Sequence, residues 1–275
     1  MKETGYKNEE LVTLQADLKV ILNGIDCICK KHNIQYFAVS GTLLGAIRHK
    51  DIIPWDDDID IGMTRDNYEK FLKVCADELG NNFFVLNYKT EKHFYAYFTK
   101  ICLHGTVFVE KETKGLNYEH GVFVDIFPYD FVPDSSKELK KHLKKVKFLY
   151  QLFKCKSLWK VSDLSTGFKK IVGSFVRPLM HILLLPVSKK RIFNLLDARL
   201  QKYNNESHKK LLPLFKTKMA ICSEDLNNII SVSFGNCKIP VSSSYDRLLR
   251  NEYGDYMVLP PKEKRKSHAP IILKL

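Results

Sequence analysis

No stretch of this chain is apolar for long enough to cross a bilayer as a helix. The longest such run, Pro178 to Val187, is too short and contains a histidine and two prolines. The first ten residues, MKETGYKNEE, lack the apolar core of a secretory signal, so the expected location is cytoplasmic. Paired cysteines are also lacking. The seven Cys are scattered and odd in number, with no CxxC, and Cys27 and Cys29 stand two apart, a spacing that suits neither zinc nor a thioredoxin-like motif. All seven are read as reduced thiols. There is no repeat and no low-complexity tract. Acidic residues are in deficit, with 31 Asp and Glu against 44 Lys and Arg, a formal charge of +13. That surplus predicts an anionic partner: nucleic acid, anionic lipid or a phosphorylated metabolite. What remains is the composition of a globular protein, 275 residues with 45% hydrophobic and 27% charged. The length suits one large domain or two modest ones.

Apolar residues at Leu11, Leu14, Leu18, Ile21, Ile25 and Ile28 step by three and four, which predicts a helix to about Lys31. Ile34 to Val39 reads as a strand. Ser40 is placed to cap a helix and Gly41 to permit a tight turn. Pro54 breaks the helix that Arg48 ends. DIDIGM, from Asp58 to Met63, has the alternation of a strand, and Arg65 to Gly80 that of a helix closed by glycine. FFVLNY, FYAYFTKICL and TVFVE are expected in one sheet, with Gly121 to Pro133 as a further strand. Beyond Ser135 the texture becomes Lys-rich and helical to about Tyr203. The expected organisation is therefore a catalytic core over 1–134, a basic amphipathic helical segment over 135–205 that contacts acceptor or membrane, and a C-terminal segment over 206–275 that returns to the active site.

The densest negative charge of this basic chain is Asp56, Asp57, Asp58 and Asp60. In a strand, Asp58 and Asp60 face one side while Ile59 and Ile61 face the other, into a core. Two carboxylates side by side repel each other unless a divalent cation sits between them. Mg²⁺ takes oxygen ligands and shares its shell with phosphates, so the pattern predicts a Mg²⁺–phosphate site, with Mn²⁺ as the alternative. Asp125, in VFVDIF, is a lone acid in an apolar strand, costly unless paired or bound to metal, and would complete a clamp for displacement at phosphorus. An EF-hand loop begun at Asp56 fails, because Gly62 falls one place late and Asn67 stands where Glu is needed. A nucleic-acid binder is disfavoured by the aspartate triplet and by the lack of a zinc finger or RNP-type motif. A DxD glycosyltransferase is disfavoured by the Gly-Thr turn before the acids.

GTLLGAIRHK followed by IPWDDDIDI resembles the signature of the LicD family, bacterial phosphocholine transferases related to the fukutin-type proteins. GVFVDIFPYD, FGNCKIPV and YGDYMVLPPKEKRKSH resemble its further blocks, so the likeness spans Gly41 to His268. The resemblance implies an α/β (α+β) fold: a nucleotidyltransferase-like mixed sheet core with flanking helices and a basic helical second half. It places Gly41 and Thr42 at the turn that approaches the phosphates, Asp58 and Asp60 as the metal pair, and Asp125 as the third carboxylate. It also implies transfer of phosphocholine from CDP-choline to a sugar hydroxyl of teichoic acid or lipopolysaccharide, free or lipid-linked, with release of CMP. CDP-ethanolamine, CDP-ribitol and nucleotidyl transfer are the rival reactions. Asp58, Asp60 and Asp125 are thus the expected catalytic and metal-binding residues, and Gly41, Thr42, Arg48, Trp55, Asp57, Lys100 and His268 the expected substrate contacts. His49 and Lys50 are further candidates to neutralise phosphate. Trp55, Tyr95, Tyr97 and Tyr118 are candidates for the aromatic wall of a choline site. The Lys- and Phe-rich helices suit the inner face of an anionic membrane.

Overall fold

The period read from Leu11 to Ile28 is that of α1, Asn8–Lys31, and each of those six apolar positions is buried. The chain is described by a computed structural model over residues 6–158, 179–180, 182–265 and 267–275. After α1 come β1 (Phe37–Ala38), α2 (Ser40–Leu44) running into a π-turn over Gly45–His49, β2 (Asp60–Thr64) and α3 (Arg65–Glu78). Then follow β3 (Phe83–Leu86), β4 (Thr99–Leu103), β5 (Val107–Val109), β6 (Phe123–Val132) and α4 (Ser136–Ser157). The C-terminal part holds α5 (Lys189–Leu200), β7 (Lys210–Leu212), β8 (Ile221–Cys222), β9 (Ile229–Phe234), β10 (Cys237–Ser242), α6 (Tyr245–Tyr253) and β11 (Ile272–Lys274). Among the described residues no helix is long and apolar enough to cross a membrane.

The main sheet has the order β1-β2-β6-β4-β3, with β7 joined to β6 and β8 to β7. It is mixed: β2 and β6 run parallel, and the other pairs are antiparallel. The α/β (α+β) architecture expected from the sequence is therefore present. Ile59, Ile61, Val124 and Ile126 belong to the core formed with α1 and α3. Residues one step over, Phe127 and Tyr129, face a second cluster with Phe37, Leu211 and Ile221. α4 and α5 pair across a third cluster containing Tyr97, Val146, Leu196, Leu200 and Leu214.

Several expected elements are shorter, or lie elsewhere. Ile34 to Val39 contributes only a two-residue strand. FYAYF is not strand; pairing begins at Thr99. β5 leaves the main sheet and forms a ribbon with β11, so the expectation that all three apolar runs share one sheet is corrected. Side-chain alternation cannot name a strand's partner, and here the partner comes from the far end of the chain. β6 stops at Val132, just before Pro133, as expected, and Pro128 sits inside it. Asp125 N–H points to β2, since it donates to Ile59 O, so the odd positions face β2 and the N of Pro128 faces away. On that side pairing with β4 stops at Ile126 and pairing with β7 starts at Asp130. The proline therefore removes no ladder bond.

Gly62, opposite Phe127, is required by packing. A Cβ there would lie 2.6 Å from the Phe37 ring and 2.7 Å from the Tyr129 ring. Gly62→Ala is expected to lower stability by about 1–3 kcal/mol, read as a lower urea midpoint at unchanged m-value.

His142 on α4 is fully buried beside Tyr203, and neither ring nitrogen has a hydrogen-bond partner. Burial, with Arg199 and Lys202 nearby and only Asp130 opposing, pushes its pKa down to about 4. Between that value and the ordinary one near 6.5, the unfolded chain binds a proton that the folded chain refuses. His142 therefore costs stability progressively as pH falls from about 6.5 to about 4. His142→Leu should flatten the acid side of the stability–pH curve, measured by urea unfolding at each pH.

Candidate active site

The acids are set by three separate anchors. Pro54 and Trp55 form a turn closed by Asp56 N–H on Ile53 O at 2.8 Å. Gln15 of α1 donates to Ile53 O and to Asp56 O, fixing both ends of that turn. The chain then runs extended through Asp58 and enters β2 at Asp60. Asp60 N–H donates to the Thr42 hydroxyl at 2.7 Å. Thr42 is buried, and its hydroxyl holds the start of the strand that carries Asp60. Gly41 makes the close approach: a Cβ would stand 3.0 Å from Asp56 Oδ2. The left-handed turn falls on Ser40, at φ 46°, rather than on Gly41. Ser40 also caps no helix, because its hydroxyl donates to Glu252 on α6.

Asp125 comes from the neighbouring strand. The register pairs Asp60 with Asp125 across β2 and β6, and Lys100 with Asp125 across β4 and β6. The ammonium of Lys100 is buried, 3.0 Å from Glu110 and 3.6 Å from Asp125, and stands 3.0 Å from the centroid of the Phe123 ring. Lys100 therefore meets the site as a partner of Asp125. Asp125 Oδ1 is buried and accepts no hydrogen bond.

The four acids hold one another in the protonated direction. Burial, then Asp58 and Asp57, raises Asp56. Burial, then Asp57, raises Asp58, with His268 opposing. Burial, then Asp58 and Asp125, raises Asp60 well above the carboxylate range. Burial also raises Asp125, against Lys100. Among the described residues, ligand atoms of Asp56, Asp57, Asp58 and His268 all lie within 4.8 Å of one another, a group that takes in Asp58 of the expected metal residues but not Asp60 or Asp125. Hard carboxylate oxygens, mutual repulsion and an orphaned buried oxygen together fit a divalent cation.

Beside the acids lies a cavity of about 410 Å³, lined by Gly41, Arg48, Trp55, Asp56, Asp58, Asp60, Tyr253, Tyr256 and His268 among others. Arg48 is oriented by donating to Tyr256 O at 2.7 Å and to the His49 ring at 3.0 Å. Trp55 has one cation against its ring. Arg265 stacks over it at 4.7 Å and His49 meets it edge-on. The face of Trp55 expected to take choline is thus already covered by a guanidinium. Tyr97 is unsuited too, being buried at the far end of the strands with Arg65 and Asp197.

The structure thus brings together Gly41, Arg48, Trp55, Asp58, Asp60, Asp125 and Lys100. Asp57 is adjacent but turned into the protein: its two oxygens accept from Tyr6 OH and from His268 N–H. The His268 ring is exposed, 3.8 Å from Asp57 and 3.9 Å from Asp58. Lys50 is the left-handed residue that ends the π-turn, and its carbonyl accepts from Gly235. Sequence reasoning missed Asp56, Tyr253, Tyr256 and Glu110 as part of the site. The aspartate run carried the signal for the first and YGDYMVLPP for the tyrosines, whereas nothing local marks Glu110.

Residues 33–158 match the family described as LicD/FKTN/FKRP, nucleotidyltransferase domain. Over 273 residues, 98% of this chain and 97% of the relative, the sequence is 31% identical to the lipopolysaccharide cholinephosphotransferase LicD of Haemophilus influenzae. It is 37% identical over 145 residues to an uncharacterized protein of Rickettsia prowazekii, covering 53% of this chain and 49% of the relative. A 48-residue stretch is 57% identical to the ribitol 5-phosphate transferase FKRP of mouse and human, 18% of this chain and 10% of theirs. With likeness along nearly its whole length and an acidic cluster where two interior strands of a mixed sheet begin, the chain is a member of the LicD family.

Proposed function

We propose that this protein transfers phosphocholine from CDP-choline to a sugar hydroxyl of a cell-surface glycan precursor, lipopolysaccharide or teichoic acid, releasing CMP. The observation that carries the reading is the aspartate cluster beside the 410 Å³ cavity, in a chain alike end to end with a cholinephosphotransferase. Asp58 and Asp60, joined by Asp56, would hold Mg²⁺. When bound, the ion supplies Lewis-acid stabilisation of the diphosphate charge. Asp125 would help to hold the ion or receive the proton of the attacking hydroxyl at Oδ1. The new bond joins sugar oxygen to phosphorus, and the bond that breaks leaves its electron pair on CMP. Lys100 holds Asp125 in place, and Arg48 offers its guanidinium to the nucleotide phosphate.

The nucleotide occupies the cavity with Trp55, where Arg48 and Arg265 offer guanidinium groups to an anion. Tyr118 lies half-buried near Glu110, on the side where negative charge suits choline. Trp55→Leu should weaken CMP and CDP-choline alike, by about 10-fold on the scale of base–aromatic stacking. Tyr118→Leu should weaken CDP-choline and spare CMP. The reverse pattern would exchange the two subsites. The 135–205 segment is assigned to acceptor or membrane. Its described part leaves Leu179, Ile182, Leu183 and Leu185 exposed near Lys156, while the stretch from 159 to 178 expected to share this role lies outside the described residues. Sedimentation with anionic liposomes at low salt, lost at high salt, is expected of a protein peripheral on the inner membrane face.

The test of the whole reading is a calorimetric titration of CDP-choline with Mg²⁺ and then with EDTA, beside CDP-ethanolamine, CDP-ribitol, CTP and UDP-glucose. Binding of CDP-choline that needs both the metal and the pair Asp58 and Asp60 is expected. Preference for another nucleotide would discard phosphocholine as the cargo.

A further inference from the structure

Lys216 lies more than a hundred residues from the aspartate run, in a turn after β7, and forms no ion pair among the described residues. Its ammonium is 4.6 Å from the centroid of the Phe127 ring. Phe127 is two residues beyond Asp125 on β6, and its register partner Gly62 is two beyond Asp60 on β2. Side chains two apart share a face, so Lys216 lies over the sheet face that bears Asp60 and Asp125, one pair further along. Burial raises Asp60, Asp125 and Glu252, and Lys216 is among the charges opposing each rise.

The turn that delivers Lys216 is built from strain and packing. Leu214 has φ 56°, a conformation disfavoured for a residue with a Cβ. It is held there by burial in the cluster of Tyr97, Val146, Leu196 and Leu200, two of which come from α5 and one from α4. Met219 N–H returns to Lys216 O and closes the turn. A strained residue persists only where its surroundings over-determine it. The paired helices thus fix the turn that carries the cation.

From this geometry we infer that Lys216 binds the distal, transferred phosphate of a cytidine diphosphate donor, and that Leu214 is the positioning residue for it. The inference rests on the nucleotide occupying the cavity beside Trp55. That cavity takes in Asp56, Asp58 and Asp60 but not Asp125 or Lys216, so a diphosphate anchored there extends past the acids toward Lys216. Lys100 cannot take this role, since Glu110 and Asp125 already hold its buried ammonium. Lys216 is exposed and can turn from the Phe127 face to an incoming oxygen.

The experiment is a calorimetric comparison of CDP and CMP, each with Mg²⁺, on the full chain and its variants. Lys216→Gln should weaken CDP by about 10- to 100-fold, the range of a charged hydrogen bond, and leave CMP within about 2-fold. Lys216→Arg should recover most of the CDP affinity. Leu214→Ala should lower the CDP-to-CMP affinity ratio, and the double variant should be no worse than Lys216→Gln alone, because both act through one ammonium. Unchanged binding of both nucleotides, or equal weakening of both, overturns the inference. If the wild type binds CMP but prefers no diphosphate over it, the inference falls while the nucleotide site stands. If it binds neither nucleotide, the reading of function falls and this inference with it.

Discussion

Asp60→Asn is expected to abolish Mg²⁺-dependent CMP release, by about 10³-fold or more, while making the metal-free protein more stable. The loss would follow from removing an oxygen of the proposed metal site, whose charge compensation has no substitute there. The gain follows from electrostatics. Asp60 is raised first by burial and then by Asp58 and Asp125, so ionising it in the folded state works against its neighbours. A carboxyl whose folded pKa is raised supports folding below its unfolded pKa, and that support is lost as pH rises through the folded value. At neutral pH without metal, the wild type is therefore penalised and the amide is not. Thermal unfolding in EDTA should show the variant melting higher, and adding Mg²⁺ should reverse the order, since an ion at 100 times its Kd stabilises only the wild type by about 2.7 kcal/mol. A variant that melts lower in EDTA would mean that Asp60 is held by a partner rather than repelled. A melting point of the wild type indifferent to Mg²⁺, Mn²⁺ and Ca²⁺ would remove the metal from the site.

The largest loss of stability is expected from Arg65→Met, about 3–5 kcal/mol. Arg65 opens α3 and is buried. It donates to both oxygens of Asp130, at 2.8 and 2.6 Å, and to Tyr97 OH at 3.1 Å. Glu69 and Asp197 lie at 3.3 and 3.6 Å. Asn204 adds a donor to Asp130. One guanidinium therefore ties β2, β6 and α5 together at the end of the sheet away from the acids. Deleting it strands Asp130, itself buried, without its countercharge. The melting point should fall by roughly 6–20 °C at 2–4 °C per kcal/mol. The double change Arg65→Met, Asp130→Leu should recover much of the loss, because the stranded charge is gone. Catalysis at low temperature should survive in the folded fraction. A selective loss of turnover with an unaltered melting point would instead make this network part of the site.

The sequence by itself determined the parts of this protein whose physics is local. The step of Leu11 to Ile28 specifies a helix with one buried face, whatever it packs against. The alternation around Asp58, Ile59, Asp60 and Ile61 specifies which side carries acid and which carries core. Asp125 stands out because an isolated carboxylate among apolar neighbours needs a partner. The GTLLGAIRHK and DDDID runs together identify the family. Tertiary structure decided everything that depends on which distant residues meet. Asp60 and Asp125 became one site only through the parallel register of β2 and β6. Thr42 turned out to hold a backbone amide, and Lys100 to be spent on Asp125 and Glu110, because a hydrogen bond or ion pair goes to whatever the fold brings within about 3 Å. Trp55 gained Arg265, 210 positions later in the chain, as the cation against its ring only through the fold. β5 left the sheet because β11 offered its edge a partner. Hydrophobic period and charge pattern report the environment that a residue needs, and chain closure over a hundred residues or more selects the neighbour that supplies it.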